Sequence, residues 1–109
     1  DGIETVWGDD LASYATADTF SWAVRSNAMF TTGAFSASSG QDIAVTVLAD
    51  PDNKTLKVGI IEPDGTRRYV VSSGNILHVF ALDQTGRYRV FVENDNSVVV
   101  NVVGSYIVQ

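Results

Sequence analysis

The chain has no cysteine, two prolines, one histidine, one methionine and only two lysines. Without thiols, disulfides, zinc–thiolate sites and cysteine nucleophiles are excluded. With His78 as the sole imidazole, a histidine-rich metal site is excluded, and a Ser-His-Asp triad would have to form around it alone. Its parity with Ile76 and Phe80 predicts a hydrogen-bonded, partly buried side chain near a sheet end, not a catalytic base. Apolar runs such as Val98-Val99-Val100 fall far short of the ~20 residues that a membrane-crossing helix needs. Positive charge is scarce too, with 7 Lys and Arg against 13 Asp and Glu and a net charge of −6. Nucleic-acid modules carry a basic face, and this balance argues against one.

What is present is a pattern of short alternating segments. At 109 residues, 45% hydrophobic and 18% charged, the chain suits one globular domain with its own core. Residues 1–18 read as an N-terminal arm or edge strand, and residues 19–109 as the body. From Thr19 to Arg25, Phe20, Trp22 and Val24 fall on one side, and Trp22 is assigned to the core. Residues 29–37 read as one strand with a bulge at Gly33, and Asp42–Ala49 alternates through Ile43, Val45 and Val47. Asp50-Pro51-Asp52-Asn53 breaks the pattern. Pro63-Asp64-Gly65-Thr66 is a turn in which proline presets φ and glycine accepts the left-handed corner, closing a hairpin between segments 56–62 and 67–71. Segments 76–82, 88–93 and 98–108 follow. Eight to nine short strands, with breakers every eight to twelve residues, predict an all-β, antiparallel two-sheet β-sandwich of jelly-roll-like form.

The sharpest architectural signal is Asp83-Gln84-Thr85-Gly86-Arg87-Tyr88. A glycine two residues before a tyrosine at a strand entrance suits a tyrosine corner, with the ring on the core and the hydroxyl bonded to main chain upstream. Together with Phe35 to Val47, the Pro63-Asp64-Gly65 hairpin and the terminal Gly104 to Val108, this order resembles the bacterial pre-peptidase C-terminal domain family over about residues 19–108. The resemblance implies a jelly-roll-like, exported, non-catalytic sandwich of a kind often appended to secreted hydrolases, with calcium or collagen as ligands of some relatives. An N-terminal Asp1, the lack of cysteine and the wealth of Thr, Ser, Asn, Asp and Val also fit a processed, secreted protein.

Candidate sites are few. Trp7 and Tyr14, in the weakly patterned arm, could form a platform for a sugar or polymer. Asp50, Asp52 and Asn53, with Glu93, Asn94 and Asp95, offer the hard oxygen ligands that calcium takes; turn hydrogen bonding is the competing account. Phe91, Val99 and Val103 have the wrong parity for a one-sided core if Val90, Val92, Val98, Val100 and Val102 point inward. They mark a subunit interface or a doubly covered strand. Arg67, Arg68, Arg87 and Arg89 read as solvated strand charges, or as one local patch if their strands are neighbours. The sequence favours a secreted, non-catalytic module that binds a cell-surface polymer, matrix or protein partner. Its rivals are a self-assembling surface protein and a small secreted antimicrobial or inhibitor protein.

Overall fold

The computed structural model describes residues 2–9 and 16–109, which fold as ten strands and no helix. They are β1 (Glu4–Val6), β2 (Ala17–Val24), β3 (Ala28–Thr31), β4 (Phe35–Ala37), β5 (Asp42–Asp50), β6 (Thr55–Ile61), β7 (Arg67–Ser73), β8 (Asn75–Ala81), β9 (Gly86–Asn94) and β10 (Val100–Val108). One sheet runs β1-β3-β9-β6-β7, with β4 also paired to β9; the other runs β2-β10-β5-β8. Apart from the β6–β7 hairpin and the β3–β4 pair, successive body strands cross from one sheet to the other, which is a jelly-roll path. All pairings are antiparallel except that of β1 with β3, which is parallel.

Ten strands replace the expected eight or nine for two reasons. The segment read as one strand over 29–37 is split into β3 and β4, and the arm adds β1. The split lies where the arm crosses it. A Cβ on Gly33 would fall 1.9 Å from the Asp9 carbonyl oxygen, and one on Gly8 would fall 2.3 Å from the Thr32 carbonyl carbon. Two glycines thus let main chain lie on main chain, and Gly33 ends the strand instead of bulging it.

Alternation places the core as the sequence leads one to expect. Ile43, Val45, Val47, Val58, Ile60, Val90, Val92, Val100 and Val102 are all buried between the sheets. Phe35 stacks on Tyr106 at 4.2 Å. Trp22 is half-buried, stacked on Phe20 at 4.3 Å and tilted against Phe30. The last strand is central to its sheet, between β2 and β5. Val98 does not join the inward set; it is exposed in the turn before β10. Tyr88 is wholly buried, and its hydroxyl donates to the Gln84 carbonyl at 2.5 Å, so the tyrosine corner is formed.

Candidate functional site: a cleft of arginine and tryptophan

The inward set Tyr88, Val90 and Val92 leaves Arg87, Arg89, Phe91 and Glu93 on the outer face of β9. At the Arg87 end of this face a cleft of about 490 Å³ opens, with Trp7, Pro63, Gly65, Arg87 and Arg89 among its walls. One wall is the β6–β7 turn, which is held from several sides. The Gly65 amide donates to the Glu62 carbonyl at 2.9 Å, and the Glu62 amide to the Thr66 carbonyl at 2.8 Å. The Asp64 carboxylate accepts from the Thr66 amide at 2.9 Å and the Gln84 side chain at 3.3 Å. These bonds, the Thr66 amide first, hold its pKa below the ordinary carboxylate value. A Cβ on Gly86 would meet the Pro63 ring at 2.8 Å, so β9 enters against the turn only because it begins with glycine.

The opposite wall is the arm. Arg89 reaches back under it, with Nη1 donating to the carbonyls of Gly8 at 3.2 Å and Thr32 at 3.0 Å, while its guanidinium lies 5.1 Å from the Trp7 ring centre. Gly8 in turn donates to Thr31 Oγ1 at 3.0 Å. Trp7 is thereby fixed, though 58% exposed. Arg87 is exposed and donates to the Ala34 carbonyl at 3.3 Å. An indole face and the donor fork of Arg87 on firm backbone can grip a planar carboxylate or an amphipathic ring. At the mouth of the sandwich beside the cleft, Glu62 is buried with Oε2 3.6 Å from Arg68 Nη1.

Of the ligand, metal and interface candidates, Trp7 reaches the cleft, as do Arg87 and Arg89 from the basic set; Tyr14 lies outside the described residues. The six residues grouped for calcium are not brought together. Glu93 is buried and its carboxylate meets Arg67 at 2.8 Å and Lys57 at 3.4 Å, with Asp95 also 3.4 Å from Lys57. Asn94 points inward and spends its amide on the carbonyls of Val24 and Val98. Asp50, Asp52 and Asn53 lie at the β5 end and in the following turn, all exposed. Among the described residues, no three acidic or imidazole side chains gather to hold a metal ion.

Phe91 is no interface residue, because its ring is covered from within the chain. Tyr69 meets it edge-on at 6.1 Å and the Arg67 guanidinium lies 4.6 Å from its centre. Val99 and Val103 are exposed, as an interface requires. His78 is exposed rather than partly buried, lying edge-on to Phe80 at 4.6 Å, with no hydrogen bond to a hydroxyl or carboxylate among the described residues. The basic residues do not form one patch, since β6 separates β7 from β9 and Arg68 faces the sandwich mouth, donating to the Ala81 carbonyl at 2.6 Å. Alternation alone put Arg87 and Arg89 on an outer face. That the arm would cross beside them had no sequence signal.

No family model matches the chain, and no curated protein matches it. A solved structure does. In fold, the chain is similar to a lysozyme inhibitor. The likeness to the crystal structure of Aeromonas hydrophila PliG, a periplasmic lysozyme inhibitor of g-type lysozyme, has a TM-score of 0.66 at 17% identity and covers 99% of this chain and 98% of that one. At that identity the match establishes a likeness of fold along both chains.

Proposed function

We infer that the protein acts by binding and not by catalysis, as a small exported inhibitor of a lysozyme-class glycoside hydrolase. The observation that carries the reading is the Arg87–Trp7 cleft, rigidly mounted on a fold that runs end to end with that of PliG. Lysozyme-type hydrolysis depends on a pair of carboxyl groups across a glycan groove. A guanidinium fork offers the bidentate partner for such a carboxylate, and an indole beside it offers the flat apolar surface a sugar would otherwise fill. The acidic body, at net charge −6, favours encounter with a basic enzyme while the arginines meet its acidic groove. This reading replaces the general surface or matrix module as the favoured one, and the partner becomes a protein.

The test is titration of purified g-type lysozyme, acting on cell-wall glycan, with the protein and its variants. Inhibition is expected, weakened at least ~10-fold by Arg87→Ala and by Trp7→Ala, with Arg87→Lys restoring little because the bidentate fork is lost. Full lysozyme activity at saturating protein, with no complex on a sizing column, would sink the reading.

A further inference from the structure

The second sheet, remote from the cleft, presents an outer face of unusual composition. Its register sets four rows across β2-β10-β5-β8: Ala17, Ile107, Ala44 and Val79; Thr19, Ser105, Thr46 and Leu77; Ser21, Val103, Leu48 and Asn75; and Ala23, Asn101 and Asp50. Leu77 is 70% exposed, Val103 56% and Leu48 51%, and Val79 and Ile107 are exposed as well. No Lys, Arg or Glu lies in these rows, and the two carboxylates on the face, Asp42 and Asp50, sit at opposite ends of β5. A chain of net charge −6 has thus kept one whole sheet face almost free of charge.

We propose that this face docks a second copy of the chain, the two outer sheets packing face to face about a twofold axis that runs along the strands between β10 and β5. The relief is self-complementary under that operation. It sets β8 of one copy over β2 of the other and β10 over β5. The β8 side is a ridge, with Leu77 and Val79. Along β2 the outward residues are Ala17, Thr19, Ser21 and Ala23, all small, and a shallow hollow beside Ala17, Thr19 and Ile107 lies in the rows that hold Val79 and Leu77, while a second crosses from Ala23 on β2 to Leu48 on β5. Ridge therefore meets trough twice, and Val103 and Ile107 meet Leu48 and Ala44 twice at the centre. This is the isologous pattern of a closed dimer.

Area and charge both suit this occupant. Four strands ~4.8 Å apart and seven to nine residues long, at ~3.3 Å per residue, span roughly 19 by 27 Å, so a pair hides roughly 1,000 Å², about what a specific interface needs. A charged partner would find little on this face to pair with or be steered by, whereas two such faces meet with little repulsion between net-acidic bodies. The dimer leaves one Arg87–Trp7 cleft pointing outward on each side, so the proposal stands whether or not the inhibitor reading does.

Sedimentation equilibrium over a wide concentration range decides it. The wild-type chain is expected at twice its 11.7 kDa mass, and Leu77→Lys and Val103→Lys at the monomer mass with native circular dichroism. Should either lysine variant fail to fold, Thr46→Cys supplies a second reading. The chain has no other cysteine, and position 46 lies beside the axis, so a short bis-maleimide should link two copies in dilute solution. A wild-type chain that stays monomeric at the highest soluble concentration overturns the proposal. So does a dimer that survives both lysine substitutions.

Discussion

The side-chain amide of Asn94, at the end of β9, donates to the carbonyl of Val24, the last residue of β2, at 2.9 Å. These strands belong to opposite sheets, so one buried side chain stitches the sandwich across its core. The same amide donates to the Val98 carbonyl at 2.8 Å, and its Oδ1 accepts from the Asn96 main chain at 2.9 Å. Asn94→Asp would replace a double donor by a carboxylate facing two carbonyls. It is expected to lower stability by about 2–4 kcal/mol, and Asn94→Ala by slightly less. Urea denaturation measures both, and a loss within error would remove Asn94 from its bridging role.

The tyrosine corner is a smaller term. Tyr88→Phe keeps the ring on the core and deletes only the bond to Gln84, at an expected cost of about 1–1.5 kcal/mol with an unchanged denaturant slope. Tyr88→Ala should cost about 3–5 kcal/mol through the cavity it leaves. If the two substitutions cost the same, the hydroxyl rather than the ring carries the corner.

Glu93 makes a different case. Its buried carboxylate is answered by Arg67 and Lys57, and it is the largest cause, ahead of Asp95, of a Lys57 pKa above the ordinary value. Glu93→Gln should destabilise the fold by about 1–2 kcal/mol and return the Lys57 pKa toward its ordinary value, as NMR titration would show. Because these carboxylates already have cation partners, calcium or a chelator should move the melting midpoint by less than ~1 °C. A rise of several degrees with calcium would refute that assignment.

Alkaline pH tests the Phe35–Tyr106 stack. Burial, and secondarily the charge of Asp18, push the Tyr106 phenol from 10.0 up to about 12. A raised pKa means that the folded state prefers the neutral phenol. The stability this contributes is fully present below pH ~10 and is lost as pH rises through about 12, on the order of 2 kcal/mol in all. Tyr106→Phe should flatten that part of the stability–pH curve. An ultraviolet phenolate titration with every tyrosine ionising near 10 would contradict the burial.

How much of this was legible in the sequence follows from the range of the interactions. Period-two alternation reports which side of its own strand a residue occupies, so the Val90–Val92 and Ile43–Val47 sets could be read directly. Asn94 and Glu93 could not. Both sit among acidic and amide residues that look like a turn. Only the neighbouring strands show that one faces Val24 across the core while the other meets Arg67 from two strands away. Phe91 was correctly placed on an outer face, but its cover of Tyr69 and Arg67 lies some twenty residues earlier in the chain.

The sequence by itself determined the layers. Most strand positions, the turns, the Tyr88 corner and most of the inward sets follow from local pattern, because burying one side of each strand is a demand every short segment expresses alone. Only the tertiary structure decided which charges are spoken for and which surfaces are left open. The arm laid across Gly33 turns Trp7 and Arg87 into a cleft, and the β2-β10-β5-β8 register gathers five scattered apolar residues onto one face whose only carboxylates, Asp42 and Asp50, sit at its two ends. Contacts of that kind join residues far apart in the chain, and no local pattern encodes the partner each will meet.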